Sequence, residues 1–591
     1  MPERRDWRRV AILAALGIGW LAIVMLTARH GLNGDIEYVL GGFDVRGGGV
    51  GAAVDTFVHR PLTYRLVMGG LDSAVRLLGL TPQSQVPYET AVRAAACLLV
   101  AATAWVLFVG LRRRLGSLQA GAIAAASATA LIAAPNWHFL QPEWVASLLV
   151  VAGVAAALAP RNGLVAAALS GALLIAAVGA KLATAPYALI GVGLILLLDR
   201  RRAAGSAIGG AVAGVLALLA LLAMPVERQW VIDMIALNPN SPMRAGFTTG
   251  DLRALAHSLG SVATTSPAVL ILPATAVLLT STVHGWHDRA ALVAIGLGCV
   301  LLAVSTVVVQ GAYYLYHYSI LPVLAAAVAA AAAARWLPRT PLVGVAVAVA
   351  LALGGVVGLW MLVHDATWRA ATLERNLWLL IAVAGLATAG AALAVAAESR
   401  RPGLKGPALP ANRGGRLAAG AAIALLASVA LLPVLPLRSA WSLAPSVTAA
   451  TGESWASGAR KAHDTLADLS ARIGRDAPVL YLAYGTVPYH MGNPTDCAYP
   501  SPVWLLTSTR SYVPDLPSFA DNARCLRTAE AEWLIEQPGW LDPTTLPAEL
   551  QRLIADTYDC EAAIAAGSVR ACPRRTSAPP AAAALGGPIV R

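Results

Sequence analysis

Gly205–Met224 reads GSAIGGAVAGVLALLALLAM, an unbroken run without a single charge. At about 1.5 Å of rise per helical residue, a run of this length crosses the roughly 30 Å hydrocarbon layer of a bilayer. It is apolar on every face, whereas a helix on the surface of a soluble core carries an apolar stripe. Val10–Thr27 has the same character and follows four arginines in Met1–Arg9. The whole chain agrees with these two runs: of 591 residues, 57% are hydrophobic and 13% charged, and the mean hydropathy is +0.64. A soluble domain carries roughly 25% charged residues. The composition predicts an all-α polytopic membrane bundle.

The net charge of +12 is placed as a membrane protein places it. From Leu437 onward the chain has 13 basic and 15 acidic residues, a net of −2, so the excess lies in the first 436 residues. There it gathers in short segments between apolar runs, which is the positive-inside pattern and not a nucleic-acid footprint. Reading each arginine cluster as cytosolic gives about thirteen transmembrane helices in residues 1–436. Val10–Thr27 is the first, with the N-terminus in the cytosol. Residues 28–90 form a long external loop, and the second helix lies in Ala91–Gly110, before Arg112–Arg114. Helices follow near Leu118–Ala134, from Glu143 to Arg161, at Leu164–Ala180, and back to Arg200–Arg202. The seventh ends near Pro225 and opens a second external loop, residues 226–266. The eighth returns to Trp286–Arg289, the ninth runs out to Tyr313–Tyr318, and the tenth returns to Arg335–Arg339. Val343–Val363, a helix ending at Ser399–Arg416, and Leu417–Leu435 complete the set.

Residues 437–575 read as an extracytoplasmic α/β domain, with a helical stretch near Ala456–Ile473 and a strand-like run at Ala477–Tyr484. Residues 576–591, rich in Ala, Pro and Gly, read as a disordered tail. Cys497, Cys525, Cys560 and Cys572 all fall in the segment that the charge pattern puts outside, where oxidised cysteines persist. They predict two disulfides in one of three pairings, of which Cys497–Cys525 with Cys560–Cys572 is the most local. The paired C-x-x-C spacing of a zinc site is lacking.

No nucleotide-binding loop, dinucleotide fingerprint or paired metal ligands on one helix occurs in the sequence. The segments that could carry chemistry lie in the first external loop: Asn33-Gly-Asp-Ile-Glu-Tyr38, then His59-Arg-Pro-Leu62. Sugar transfer from a lipid phosphate needs a carboxylate to take the acceptor hydroxyl's proton, and cationic or hydrogen-bonding groups to hold the departing phosphate. The alternative is a solvated loop whose acids cap helices.

This plan resembles the GT-C superfamily of integral membrane glycosyltransferases, which use polyprenyl-phosphate sugars. Members such as the protein O-mannosyltransferases and the aminoarabinose transferase of lipid A carry an Asp or Asp-Glu motif in a long first external loop. A His-Pro-Pro-Leu-like segment often follows it. Asp35 matches the acidic position. His59-Arg-Pro-Leu matches the second segment, with Arg60 in place of the first proline. A hydrophobic N-terminal part ending in an external domain also resembles the actinobacterial cell-wall arabinosyl- and mannosyltransferases. The resemblance implies Asp35 as catalytic base, with Asp44 and Asp55 as its competitors. Glu143, in Phe-Leu-Gln-Pro-Glu-Trp144, would share acceptor activation, or simply favour a helix N-terminus. Glu37, His59 and Arg60 would bind substrate. Lys181, one of three lysines, would contact the lipid phosphate or snorkel to the interface. Tyr316 and His317, within Tyr313-Tyr-Leu-Tyr-His-Tyr318, would line the site or belong to an interfacial belt. Arg228 and Arg244 are further candidate phosphate or sugar contacts.

The sequence therefore predicts an inverting glycosyltransferase of the plasma membrane, metal-independent or weakly metal-dependent, with a divalent cation left open as cofactor. Its donor would be a polyprenyl-phosphate sugar and its acceptor a cell-envelope glycan, glycolipid or protein. Two other readings stand beside it: a flippase or transporter of a lipid-linked glycan, and a non-catalytic envelope-assembly protein. Transporters place ionisable groups near the bilayer midplane, whereas these acids crowd one surface.

Overall fold

The computed structural model describes residues 31–135, 137–237, 249–336, 350–399 apart from 351, 359, 362 and 365, then 452–506 and 516–575. The first and last expected transmembrane helices, part of Val343–Val363, Arg244 and the C-terminal tail lie outside the described residues. The chain divides into two compact units: residues 1–30, 96–216 and 245–455 in one, and residues 31–95, 217–244 and 456–591 in the other.

Six described helices are long and apolar enough to cross a membrane: Val86–Leu115, Gly163–Ala180, Arg200–Ala223, Trp286–Gln310, Leu315–Trp336 and Leu373–Glu398. Four shorter apolar helices, Ser117–Ile132, Pro142–Leu158, Leu182–Leu198 and Leu272–Ser281, also match expected spans. This is a membrane protein. In the unit containing most of these helices, close packing relies on small residues, since lipid gives apolar side chains no reason to prefer each other. A Cβ on Gly171 would collide with the backbone of Gly209, and one on Gly209 with the carbonyl of Ala167.

The arginine clusters close helix ends as the charge pattern requires. Arg113 donates to Ala159 O at 2.6 Å, and Arg114 donates to Leu158 O and pairs with Asp199 at 2.7 Å. Arg202 donates to the carbonyls of Pro160, Arg161 and Asn162. Cations on the last carbonyls of a helix satisfy acceptors that have no intrahelical partner. The clusters at 112–114, 161 and 200–202 thus gather at one end of the bundle. Glu143 opens the 17-residue helix that ends at Leu158, so it lies about 24 Å from them.

The second unit draws on three separated stretches of chain. Its centre is a four-stranded sheet in the order β1 (Val479–Leu482), β2 (Trp533–Glu536), β4 (Val569–Pro573), β3 (Ile564–Ala566). β1 runs parallel to β2, with Leu482 opposite Glu536, and the other pairs are antiparallel. Alternate residues serve two cores, as the two-residue period of a strand dictates. Leu480, Leu482 and Leu534 pack with Phe57, Trp230 and Phe519. Val479, Tyr481 and Ile535 pack with Leu466, Leu469 and Ile473, which share one face of helix Gly452–Ile473. The disulfides are Cys497–Cys525 and Cys560–Cys572, the most local of the three pairings.

The described part of residues 28–90, read from the sequence as a loop, contains the helices Gly34–Asp44, Gly49–Asp55 and Leu62–Arg76. The third has the periodicity of a packed helix, burying Tyr64, Met68, Leu71 and Val75. The first lies against helix Thr486–Met491 through two glycines. A Cβ on Gly41 would meet Tyr489 N at 2.5 Å, and one on Gly485 would collide with Tyr38.

Candidate active-site clusters

The predicted residues fall into two clusters, each within one unit. The first surrounds Asp35. Asn33 caps helix Gly34–Asp44, its side chain accepting from Asp35 N at 2.8 Å, so Asp35 stands in the first turn where the helix dipole favours a carboxylate. Tyr484 Oη donates to Asp35 Oδ1 at 3.0 Å, and Arg60 Nη2 lies 4.0 Å from Oδ2. Burial and the adjacent Asp35 carboxylate hold the Tyr484 phenol well above its usual range, so it remains a proton donor. The Asp35 side chain retains 24% exposure and can be reached.

The His59-Arg60-Pro61 segment beside it is built, not merely tethered. His59 takes φ +50, a conformation that side chains disfavour, and stacks on Trp504 at 4.4 Å. Arg65, fully buried, donates to the carbonyls of Ala53, Val54 and Arg60 at 2.6, 3.0 and 3.0 Å, and pairs with Glu227. Glu227 accepts from Leu62 N at 3.1 Å, and Trp230, one turn along its helix, lies under the Arg65 guanidinium at 5.0 Å. The pair therefore grips the chain on both sides of His59 and Arg60.

Glu37 shares its helix with Asp35 but not its surroundings. It is 3% exposed, with Oε2 3.7 Å from His490 Nε2. Burial, reinforced by the nearby Glu89, raises its pKa well above the usual carboxyl range, and burial with His463 pushes His490 down to about 3. Of the competitors for the base, Asp44 is locked by Arg76 at 2.5 Å and Gln83 at 2.6 Å, and burial raises its pKa. Asp55 is exposed at the end of helix Gly49–Asp55. Arg228 is exposed on the helix whose buried face carries Glu227 and Trp230.

The second cluster joins Glu143, Lys181 and His317. Lys181 breaks the helix Gly163–Ala180 by taking φ −164, and Thr184 steadies the break by donating to the carbonyls of Ala177 and Lys181. Its ammonium lies 2.6 Å from Glu143 Oε1 and 3.5 Å from His317 Nε2. His317 Nδ1 stands 2.7 Å from Ala312 O, which can only accept, so Nδ1 carries the proton and Nε2 is free to accept from Lys181. Tyr187 Oη donates to His317 O at 2.8 Å, and the Tyr316 ring lies 5.9 Å from the ammonium. Glu143 is 0% exposed and Lys181 30%. The carboxylate and imidazole both face the ammonium, whose side chain keeps 30% exposure.

Two solved structures resemble this chain. ArnT from Cupriavidus metallidurans bound to undecaprenyl phosphate aligns over 99% of both chains, with 16% identity and a TM-score of 0.50. The chain has the ArnT fold. The apo state of the same protein aligns over 99% of this chain and 100% of its own, with 16% identity and a TM-score of 0.47. No family model and no curated protein matches the sequence.

Within that fold, sequence reasoning missed Tyr484, Trp504, Arg65, Glu227 and Trp230. Tyr484 and Trp504 lie more than 400 residues from Asp35 in the chain, and no local pattern marks them. Arg65 did carry a signal. It is an arginine on the apolar face of an amphipathic helix, where burial demands an acidic partner.

Proposed function

We propose that this protein is an inverting glycosyltransferase that moves a sugar from a polyprenyl-phosphate donor to a cell-envelope glycan, glycolipid or protein. The observation that carries the reading is Asp35: a reachable carboxylate, oriented by a phenol that stays protonated and flanked by Arg60, within the ArnT fold. The ArnT structure that supports the fold has undecaprenyl phosphate bound, which makes a lipid-linked donor the natural substrate to test.

Asp35 accepts the proton of the acceptor hydroxyl as that oxygen attacks the anomeric carbon and the bond to the phosphate breaks. A single displacement inverts the anomeric centre. Arg60 and His59 supply cationic and hydrogen-bonding groups for the departing phosphate. In the other cluster, Lys181 is the group suited to a lipid phosphate. Glu143 acts as its counter-ion, a role that fits a fully buried carboxylate better than a share in acceptor activation. Among the described residues the one candidate metal-binding group is Glu536 with Cys560 and Cys572, whose sulfurs are joined in a disulfide. The protein would work in the plasma membrane, with its N-terminus cytoplasmic and residues 437–575 outside.

The test is transfer by the full chain in proteoliposomes, using a panel of polyprenyl-phosphate sugars with envelope glycans and glycolipids as acceptors. Wild-type protein should form a product of inverted configuration that Asp35→Asn does not form, and an arm with EDTA reads any need for a divalent cation. Transport of a lipid-linked glycan without transfer would overturn the reading. So would full transfer by well-folded Asp35→Asn.

A further inference from the structure

We infer that Trp540, stacked on Tyr484, forms a saccharide-binding subsite for the acceptor, beside the hydroxyl that Asp35 activates. The inference rests on the transferase reading for the word acceptor, but its physical basis is independent. β1 and β2 are parallel and adjacent, and open α/β sheets commonly form ligand sites beyond the carboxyl ends of parallel strands. Tyr484 follows the end of β1, and Trp540 follows the end of β2. Gln537 ties the two exits together: its N–H donates to Leu482 O at 3.0 Å, and its side-chain oxygen accepts from Tyr484 N at 3.0 Å.

Trp540 is then fixed by a turn in which the N–H groups of Trp540 and Leu541 both donate to Gln537 O, with Leu541 1% exposed beneath. The indole lies 4.4 Å from the Tyr484 ring at an interplanar angle of 23°. One indole face is covered by this ring, whose hydroxyl donates to Asp35. Trp540 nevertheless remains 48% exposed, and it is the one exposed large apolar side chain among the described residues of 452–575.

A rigid, open aromatic face next to a base suits a ring whose C–H bonds point at it, because the electron-rich π face attracts their positive ends. One face of a pyranose or furanose offers this, while its hydroxyls remain free for the solvent and for Asp35. A membrane anchor is the competing use of an exposed tryptophan, but interfacial belts are made of several aromatic residues. Here the indole stands alone in Glu536-Gln-Pro-Gly-Trp-Leu-Asp542. Glu536 is buried and paired with Arg570, and the exposed charge of the turn is Asp542, which suits a neutral saccharide better than an anionic lipid surface.

Calorimetry of the full chain in detergent with neutral arabino-, manno- and gluco-oligosaccharides tests this directly. At least one series should bind wild-type protein. Trp540→Ala should weaken that binding about tenfold, while Trp540→Tyr retains most of it. Equal binding by Trp540→Ala, or no binding of any series by wild type, overturns the subsite. In nanodiscs, quenching by brominated lipids that is present in wild type and lost in Trp540→Ala would place the indole at the membrane interface and overturn it as well. The two readings fail separately. Trp540-dependent binding without transfer from any donor refutes only the transferase, and transfer with Trp540-independent binding refutes only the subsite.

Discussion

Asp35 and Glu143 are both carboxylates in the first turn of a helix, yet they sit in opposite electrostatic circumstances. Asp35 is 24% exposed, accepts a hydrogen bond from the Tyr484 phenol, and has Arg60 Nη2 at 4.0 Å. Glu143 has no exposure and holds an ammonium at 2.6 Å. A general base must be able to reach its proton, whereas a counter-ion can be fully buried. The comparison teaches that residue type and helix position do not separate these roles. Burial and the nearest cation do.

The sharpest way to break this contrast is to make each acid an amide. Asp35→Asn should lower turnover at least about 100-fold with a smaller change in donor affinity, since proton abstraction contributes roughly 10²–10⁴-fold. Glu143→Gln should keep most of the turnover and act on the donor KM. Steady-state kinetics that gave the two variants the same profile would erase the distinction drawn here.

Arg65 offers the next largest effect, because it shapes the Asp35 cluster without belonging to it. Arg65→Lys replaces a planar fork by a single ammonium that cannot serve the same carbonyls together. We expect kcat/KM to fall on the order of 10- to 100-fold through misplacement of Arg60 and His59. An unchanged kcat/KM in this variant would show that the segment needs no such grip.

Lys181→Ala sharpens the other side of the contrast. Loss of a charge-assisted contact should weaken binding of a polyprenyl phosphate roughly 10-fold or more, measured directly on the lipid. It should also destabilise the protein, because Glu143 would remain buried without its partner. Full stability together with unchanged lipid binding would leave Lys181 as an interfacial residue.

The smallest effect concerns Glu37, a third carboxylate that the fold keeps neutral. Its folded pKa is raised above the unfolded value, so its contribution is present at low pH and declines as pH rises through the folded value. Glu37→Gln mimics the neutral form. Its thermal midpoint should match wild type near pH 4, below the unfolded carboxyl range of about 4.3–4.5, and exceed it modestly in alkaline buffer. A variant less stable than wild type at high pH would mean that Glu37 is charged in the folded protein.

What the sequence determined by itself was whatever depends on local composition. Apolar runs of bilayer length predicted the membrane helices, because a helix in lipid must satisfy its own backbone and expose only apolar surface. The arginine clusters that now cap neighbouring helix ends were legible as clusters, and the four C-terminal cysteines as two disulfides whose pairing stayed open. Asp35, His59, Arg60, Glu143, Lys181 and His317 could be picked out by type and motif. Only the tertiary structure decided what each is able to do. Nothing in Asp-x-Glu shows that the first acid is open while the second is sealed beside His490. Nothing near Asp35 announces a tyrosine from the C-terminal sheet. Those facts arise from contacts between stretches hundreds of residues apart, made by glycines that let Tyr38 and Tyr489 approach and by parallel strands that end at Tyr484 and Trp540. Proton affinity follows desolvation and neighbouring charge, and both are properties of the packed chain.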